Sequence, residues 1–168
     1  SQSRYCYPGG QCKLALFMEL TSHYGWALFI VQGTTITLQY AVLPLILGLI
    51  IGTMLAIMKQ TGNPILTLTA NTYISIIRGT PLLLQLYIMY FAFPGITGYK
   101  ISAFAAGIIA FSCNSAAYIA EIIRAGIGAV DKGQFEAAHA LHIPYYRTML
   151  DIILPQAMRN ILPSLVNE

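Results

Sequence analysis

Charge is what this chain has least of. Of its 168 residues, 9% are Asp, Glu, Lys or Arg and 57% are hydrophobic, and the mean hydropathy is +0.66. A soluble domain carries roughly 25% charged residues, so this exterior is not built for water alone. The chain is long enough to bury a core, yet lipid must cover much of its surface. The net charge of +3 is small and its basic residues are scattered, which argues against a nucleic-acid partner. Histidine and cysteine are equally sparse, at 3 each. His23, His139 and His142 stand at no zinc spacing from Cys6, Cys12 or Cys113, so no metal site of that kind is expected. There is no Gly-x-x-x-x-Gly-Lys-Ser/Thr stretch, hence no phosphate cradle of the usual kind on this chain. An intramembrane enzyme lacks its parts as well. No paired aspartates are present, and all three histidines lie outside the apolar runs.

What the chain has instead is three long apolar blocks. The first runs from about Tyr40 to Met58, with Gln32 to Gln39 as a polar lead-in. The second runs from about Thr72 to Phe93 and is interrupted by Arg78-Gly79-Thr80-Pro81. The third runs from about Ile101 to Ile123. Each approaches or exceeds the ~20 residues with which a helix crosses a bilayer core. A last apolar stretch, from Ile152, stops at Glu168 short of a span, and the first residue is Ser. The expected fold is therefore an all-α, polytopic integral membrane protein, truncated after three spans and the start of a fourth.

Alternating crossings place Lys59, Arg124, Lys132, Arg147 and Arg159 on one side and Arg4, Lys13 and Lys100 on the other. The more basic side reads as cytoplasmic. The N-terminal segment then lies outside, with Tyr24, Trp26 and Tyr99 near the outer interface. Residues 1–20 contain no compact apolar run ahead of a small-residue cleavage site. Cys6 and Cys12 flank Pro8-Gly9-Gly10, a turn able to bring the two thiols together. In an oxidising compartment they either form a small bracing disulfide or remain free. Cys113, inside the third block, reads as a small buried hydrophobe.

Four features inside and between the blocks bear on function. Asn114, Tyr118 and Glu121, spaced four and three apart, share one helix face, with Ser112 and Ser115 nearby. Polar groups in hydrocarbon are costly and mark function by default. That face reads either as a pathway hydrogen-bonding an ammonium and a carboxylate, or as helix packing plus an intrahelical Glu121–Arg124 pair. Arg78 sits where Gly79 and Pro81 weaken the helix. It recognises a carboxylate, pairs with an acidic group, or reaches the cytoplasmic interface. Gly48 and Gly52 form a small-xxx-small pair, the signature of close helix packing. Finally, 132–155 reads as a helix–turn–helix elbow. Glu136 to Leu141 is a short helix with Asp131 on its N-terminal side, and Pro144 ends it by disfavouring helical geometry at Ile143. Tyr145 to Ile153 is a second short helix, and Pro155 starts the next span.

Within this elbow, Glu136-Ala137-Ala138 is followed at fixed spacing by Ile152, Leu154 and Pro155. That pattern resembles the cytoplasmic loop of bacterial ABC importer permeases. Arg78-Gly79-Thr80-Pro81, the run Ala117 to Arg124, Lys132-Gly133-Gln134, Leu154-Pro155-Gln156-Ala157-Met158-Arg159, Leu162-Pro163 and Asn167-Glu168 narrow the resemblance to the polar amino acid uptake branch. It covers about residues 30 to 168. Residue 142 departs from it. His stands where the family has Gly, the residue that permits a sharp turn after the first loop helix.

The resemblance implies an extracytoplasmic segment 1–25 and a transmembrane domain 26–168 with a coupling loop at 128–155, in the bacterial inner membrane. Gly133, Glu136, Ala137, Ala138 and His142 are then the coupling residues, and Arg78, Asn114, Ser115 and Tyr118 the candidate substrate pathway. No cofactor is bound by this chain; ATP and Mg belong to separate ATPase subunits. The other implied partners are a solute-binding protein, a second permease subunit (identical or similar), membrane lipid and a polar amino acid. Two other functions compete: a structural subunit without its own cargo site, and an ion-gradient-driven transporter.

Overall fold

The structure, a computed structural model, describes residues 25–167. The Cys6–Cys12 pair and most of the N-terminal segment lie outside the described residues. Among those described, every regular element is a helix: α1 Gly25–Gln60, α2 Pro64–Gly79, α3 Leu82–Thr97, α4 Ala103–Gly128, α5 Lys132–Ala140 and α6, residues 145–166. Two compact units meet between Ala41 and Val42, and the packing described below lies within the second. Helices α1 and α4 are long and apolar enough to cross a membrane, and α2 with α3 forms a third candidate span bent by 102°. Large side chains such as Ile50, Met54, Leu83, Phe91 and Ile109 stay exposed. This is area for lipid to cover.

Three sequence expectations need correction. The stretch Gln32 to Gln39 is not a lead-in to α1 but part of it. The hydroxyls of Thr34, Thr35 and Thr37 donate to the carbonyls of Ile30, Val31 and Gly33 at 2.8, 2.8 and 2.9 Å. A threonine that satisfies its own helix in this way is polar in composition only. The second apolar block begins earlier than Thr72, and its interruption is a sharp corner. Its helix starts at Pro64, capped by the Asn63 side chain on the Ile65 N–H, and turns sharply after Gly79. Pro155 does not start a new helix either, because α6 is helical from Tyr145 through it.

The reason for that continuity is a π-helical stretch at Thr148–Ile153, which ends two residues before Pro155. A second one in α3, Ile88–Ala92, ends two residues before Pro94. A proline lacks the N–H of the helical ladder, and its ring crowds the preceding turn. Widening that turn by one residue gives the ring room and keeps the helix unbroken.

Residues Pro44, Gly48, Gly52 and Ala56 are buried at every fourth position of α1. A Cβ on Gly48 would stand 2.8 Å from the Ser115 Cβ, and one on Gly52 2.8 Å from the Ala116 carbonyl oxygen and 2.9 Å from the Ile119 Cβ. Helices associating in lipid gain little from hydrophobic transfer, so close van der Waals contact carries the packing. On the other side of α4, Ala117 and Ala120 pack with Ile74 of α2. The Tyr73 hydroxyl donates to the Cys113 carbonyl at 2.8 Å. Toward the loop end, Val130, Ile153, Ala157 and Ile161 form a second core, completed by Ile123, Phe135 and Met149.

Gly52→Val forces α1 off α4, since backbone and a buried isoleucine both block the new side chain. The expected cost is about 2–3 kcal/mol, measured as a lower thermal unfolding midpoint in detergent. Ala substituted for exposed Gly33, inside the same helix and with nothing within 4 Å, does not lower the midpoint and by helix propensity raises it slightly.

Candidate functional site

The corner between α2 and α3 follows from Pro81. It drives Thr80 into extended geometry, φ −114°, ψ 140°, and leaves the last carbonyls of α2 without their helical partners. Local groups take them up. The Thr80 hydroxyl donates to Ile76 O at 2.9 Å. The Gln85 carboxamide nitrogen, reaching back from α3, donates to Ile77 O at 2.8 Å and to the Thr80 hydroxyl oxygen at 3.0 Å. Gln85 is buried. It is a positioning residue that sequence reasoning missed, and the only signal for it was a lone glutamine inside an apolar run.

The corner delivers Arg78 to Glu121 on α4. Three cations meet at that carboxylate. Lys59 Nζ of α1 lies at 3.5 Å, Arg78 Nη1 at 3.9 Å, and Arg124 donates through Nε at 2.8 Å and through a second nitrogen. The Glu121–Arg124 pair expected from i,i+3 spacing is therefore present, within a larger cluster that spacing alone did not reveal. The Arg78 guanidinium also lies over the Tyr118 ring, 5.2 Å from its centroid, within cation–π range.

Beside this cluster opens a groove of about 550 Å³, lined on one side by Arg78, Tyr118 and Glu121 and on the other by Arg159, Asn160 and Ser164 of α6. Two of the four pathway candidates, Arg78 and Tyr118, are thus brought together. Ser115 is turned to Gly48 instead, and half-buried Asn114 is not among the groove-lining residues. The α6 contribution was not foreseen. Arg159, Asn160 and Ser164 share a helix face only if helix continues through Pro155, which the π turn makes true.

The elbow is more rigid than its composition implies. The Asp131 side chain caps α5 by accepting from the Gly133 N–H at 2.6 Å. At the other end, Ile143 N donates to Ala138 O and His142 N to His139 O, both at 3.0 Å. These are the two bonds of a Schellman motif, with His142 at its left-handed position, φ 55°. The histidine has thus adopted the glycine geometry rather than shifted the turn. Phe135 packs into the core around Ile153, and Ala138 is 2% exposed. Ala138, one of the five contact candidates, thus packs inward against this chain. Gly133, Glu136, Ala137 and Ala140 remain exposed, at helix spacings that put them on one outward strip.

Residues 45–168 match the family described as binding-protein-dependent transport system inner membrane component. The chain belongs to that family. A putative glutamine transport system permease protein of Rickettsia felis is 61% identical over 91% of this chain and 70% of its own length. An arginine transport system permease protein of Bacillus subtilis is 52% identical over 83% of this chain and 64% of its own. The crystal structure of an amino acid ABC transporter with histidines superposes with a TM-score of 0.75 at 44% identity, covering 83% of this chain and 68% of that one. Aligning 91% of the chain takes the likeness to relatives into the 1–25 segment, where no motif is recognisable. The chain is thus a permease component of an ABC transporter in the bacterial inner membrane, a transport subunit rather than an enzyme. Permeases of this family work with an ATPase and a solute-binding protein on other chains.

Two outcomes follow. Glu121→Gln removes the charge that three cations share and lowers the permease's stability by about 1–2 kcal/mol, read as a shifted thermal midpoint in detergent. His142→Gly relieves the left-handed Cβ and raises stability by about 1 kcal/mol in the same assay.

Proposed function

We propose that this permease carries polar amino acids, that the groove beside Glu121 belongs to their path, and that the 128–155 elbow takes the stroke of the ATPase. The cargo class rests on the relatives named for glutamine and arginine transport. The coupling role rests on one structural observation above others. The strip of Gly133, Glu136, Ala137 and Ala140 is exposed on a helix whose opposite face, through Phe135 and Ala138, is locked into the core. Small side chains let a partner backbone approach closely, and Glu136, without an ion-pair partner among the described residues, is available to a basic or backbone donor. On this reading residues 26–168 are the transmembrane domain and 1–25 an extracytoplasmic segment. The 128–155 loop is cytoplasmic, and a second permease subunit, a copy or a similar chain, completes the pathway.

The mechanism is alternating access. ATP closes the ATPases, the docked elbows tilt the helices from an inward-open to an outward-open arrangement, and hydrolysis resets them. Each ligand biases one of two packed states.

The full-length permease, reconstituted with its ATPase and binding protein, should hydrolyse ATP faster when a polar amino acid is present. Glu136→Lys should abolish the stimulation while the complex still assembles. Uptake that follows an ion gradient and resists vanadate would instead identify a secondary transporter. Assembly with no response to any amino acid would leave a structural subunit.

A further inference from the structure

A second cleft, of about 430 Å³, shares no lining residue with the groove beside Glu121. It runs between Ala56 and Ile57 near the end of α1, Ile123 and Ile127 near the end of α4, and Met149 and Leu150 at the start of α6. Its walls are almost entirely hydrocarbon, and its size falls within the ~300–1,000 Å³ of small-molecule clefts. Ile57 and Leu150 are each more than half exposed, so the cleft is open along one side. Helices α1 and α4 are both long and apolar enough to cross a membrane. The cleft therefore sits where two spans end, at the depth where hydrocarbon gives way to headgroups. Tyr145 and Tyr146 line it, amphipathic rings of the kind favoured at that depth. The Tyr145 hydroxyl donates to Gln60 Oε1 at 3.3 Å, tying the start of α6 to the end of α1.

Arg147 puts a positive charge at the rim. Its Nε donates to the Tyr146 hydroxyl at 2.9 Å, and its guanidinium lies 5.7 Å from the centroid of that ring. It has no ion-pair partner among the described residues, Asp151 four positions on included. A held cation beside the mouth of an apolar cleft complements one kind of molecule, an anion carried on a hydrocarbon chain.

We propose that this cleft binds an anionic phospholipid, with an acyl chain against Ile57, Ile127 and Leu150 and the phosphate on Arg147. The site goes beyond the transport reading and does not depend on which cargo is carried. It draws lipid from the leaflet that the elbow faces, the cytoplasmic one on the topology proposed above.

An acyl chain gains little by moving from bilayer to apolar cleft, so the walls set the fit and the charge sets the choice among lipids. With Nε engaged by Tyr146, the two Nη nitrogens of Arg147 remain for a phosphate. Ile123, Ile127 and Met149 also pack against the core that holds α5. A chain filling the cleft thus braces the elbow from the α1 side, in an interior where unfilled space forfeits contact.

The test is photo-crosslinking of the full-length permease–ATPase complex in phosphatidylcholine nanodiscs. These carry a trace of phosphatidylglycerol or of phosphatidylcholine with a diazirine in the acyl chain. Both leaflets hold the probe, so the outcome is independent of which side the elbow faces. Phosphatidylglycerol should label residues 53–61 and 145–154 at least about fivefold more than phosphatidylcholine does. Arg147→Gln should remove that excess and Arg147→Lys should retain most of it; both replace an exposed side chain, so the complex should still assemble. Equal labelling by the two lipids would overturn the proposal. So would labelling spread evenly onto Leu83, Phe91 and Ile109, which are exposed elsewhere on the helices, or an excess that survives Arg147→Gln. None of these results touches the amino acid permease, whose own readout is stimulation of the ATPase.

Discussion

The carboxylate of Glu121 ties three helices at one depth. Lys59 ends α1, Arg78 ends α2, and Arg124 belongs to the same helix as the acid itself. Each cation alone would be a liability near hydrocarbon; gathered on one carboxylate, they neutralise part of their charge and fix where their helices end. A side chain 22% exposed is neither a surface ion pair of negligible worth nor a buried one dominated by desolvation. Its main effect is geometric. It selects the arrangement in which the ends of α1 and α2 converge on α4, and the groove opens beside that point.

The arrangement is reachable because backbone needs are met locally. A bilayer core has no water to spare for an orphan carbonyl, yet α2 stops in mid-protein. Thr80 and Gln85 supply the missing donors, so a 102° corner forms where hydropathy reads only an interruption of one apolar block. The two π-helical stretches solve the complementary problem at Pro94 and Pro155, where a donor rather than an acceptor is missing. In each case the backbone need is met locally and the chain changes direction or pitch instead, although at the corner the buried Gln85 Oε1 is left without a hydrogen-bond partner among the described residues.

This distinction explains what the sequence made legible. Features set by local spacing were readable. The four-residue step from Gly48 to Gly52 marks the face of α1 that meets α4, Glu121 and Arg124 pair across one helical turn, and position 142 requires left-handed backbone. Features set by partners distant in the chain were not. Nothing near Glu121 in sequence announces Lys59 or Arg78, and no composition rule turns Ser115 toward Gly48 or Ala138 into the core. Hydropathy erred where polarity was already satisfied. The threonines of α1 look polar in a window average, although their hydroxyls are bonded to the helix they sit on. The α6 wall of the groove was hidden by a proline taken for a helix start, and its polar face appears only once the helix is known to run through.

These elements also connect the elbow to the groove. Helix α5 is not a loose tether, since Phe135 shares a core with Ile153, Ala157 and Ile161 of α6 and with Ile123 and Ile127 of α4. Gly126 lets α6 approach so closely that any Cβ there would overlap Ile161. Close-packed interiors transmit displacement rather than absorb it. On the proposed function, a push on the outward strip of α5 therefore reaches α6 through packed side chains within about three helical turns. Arg159, Asn160 and Ser164 ride on that same helix, facing Arg78 and Tyr118 across the groove. Movement of α6 against α4 then changes the distance between Arg159 and Arg78, while the Glu121 cluster holds Arg78 fixed to α4. The outward strip of α5 and the α6 wall of the groove are thus joined by one packed core, which includes Ile153 at the end of the π-helical stretch Thr148–Ile153.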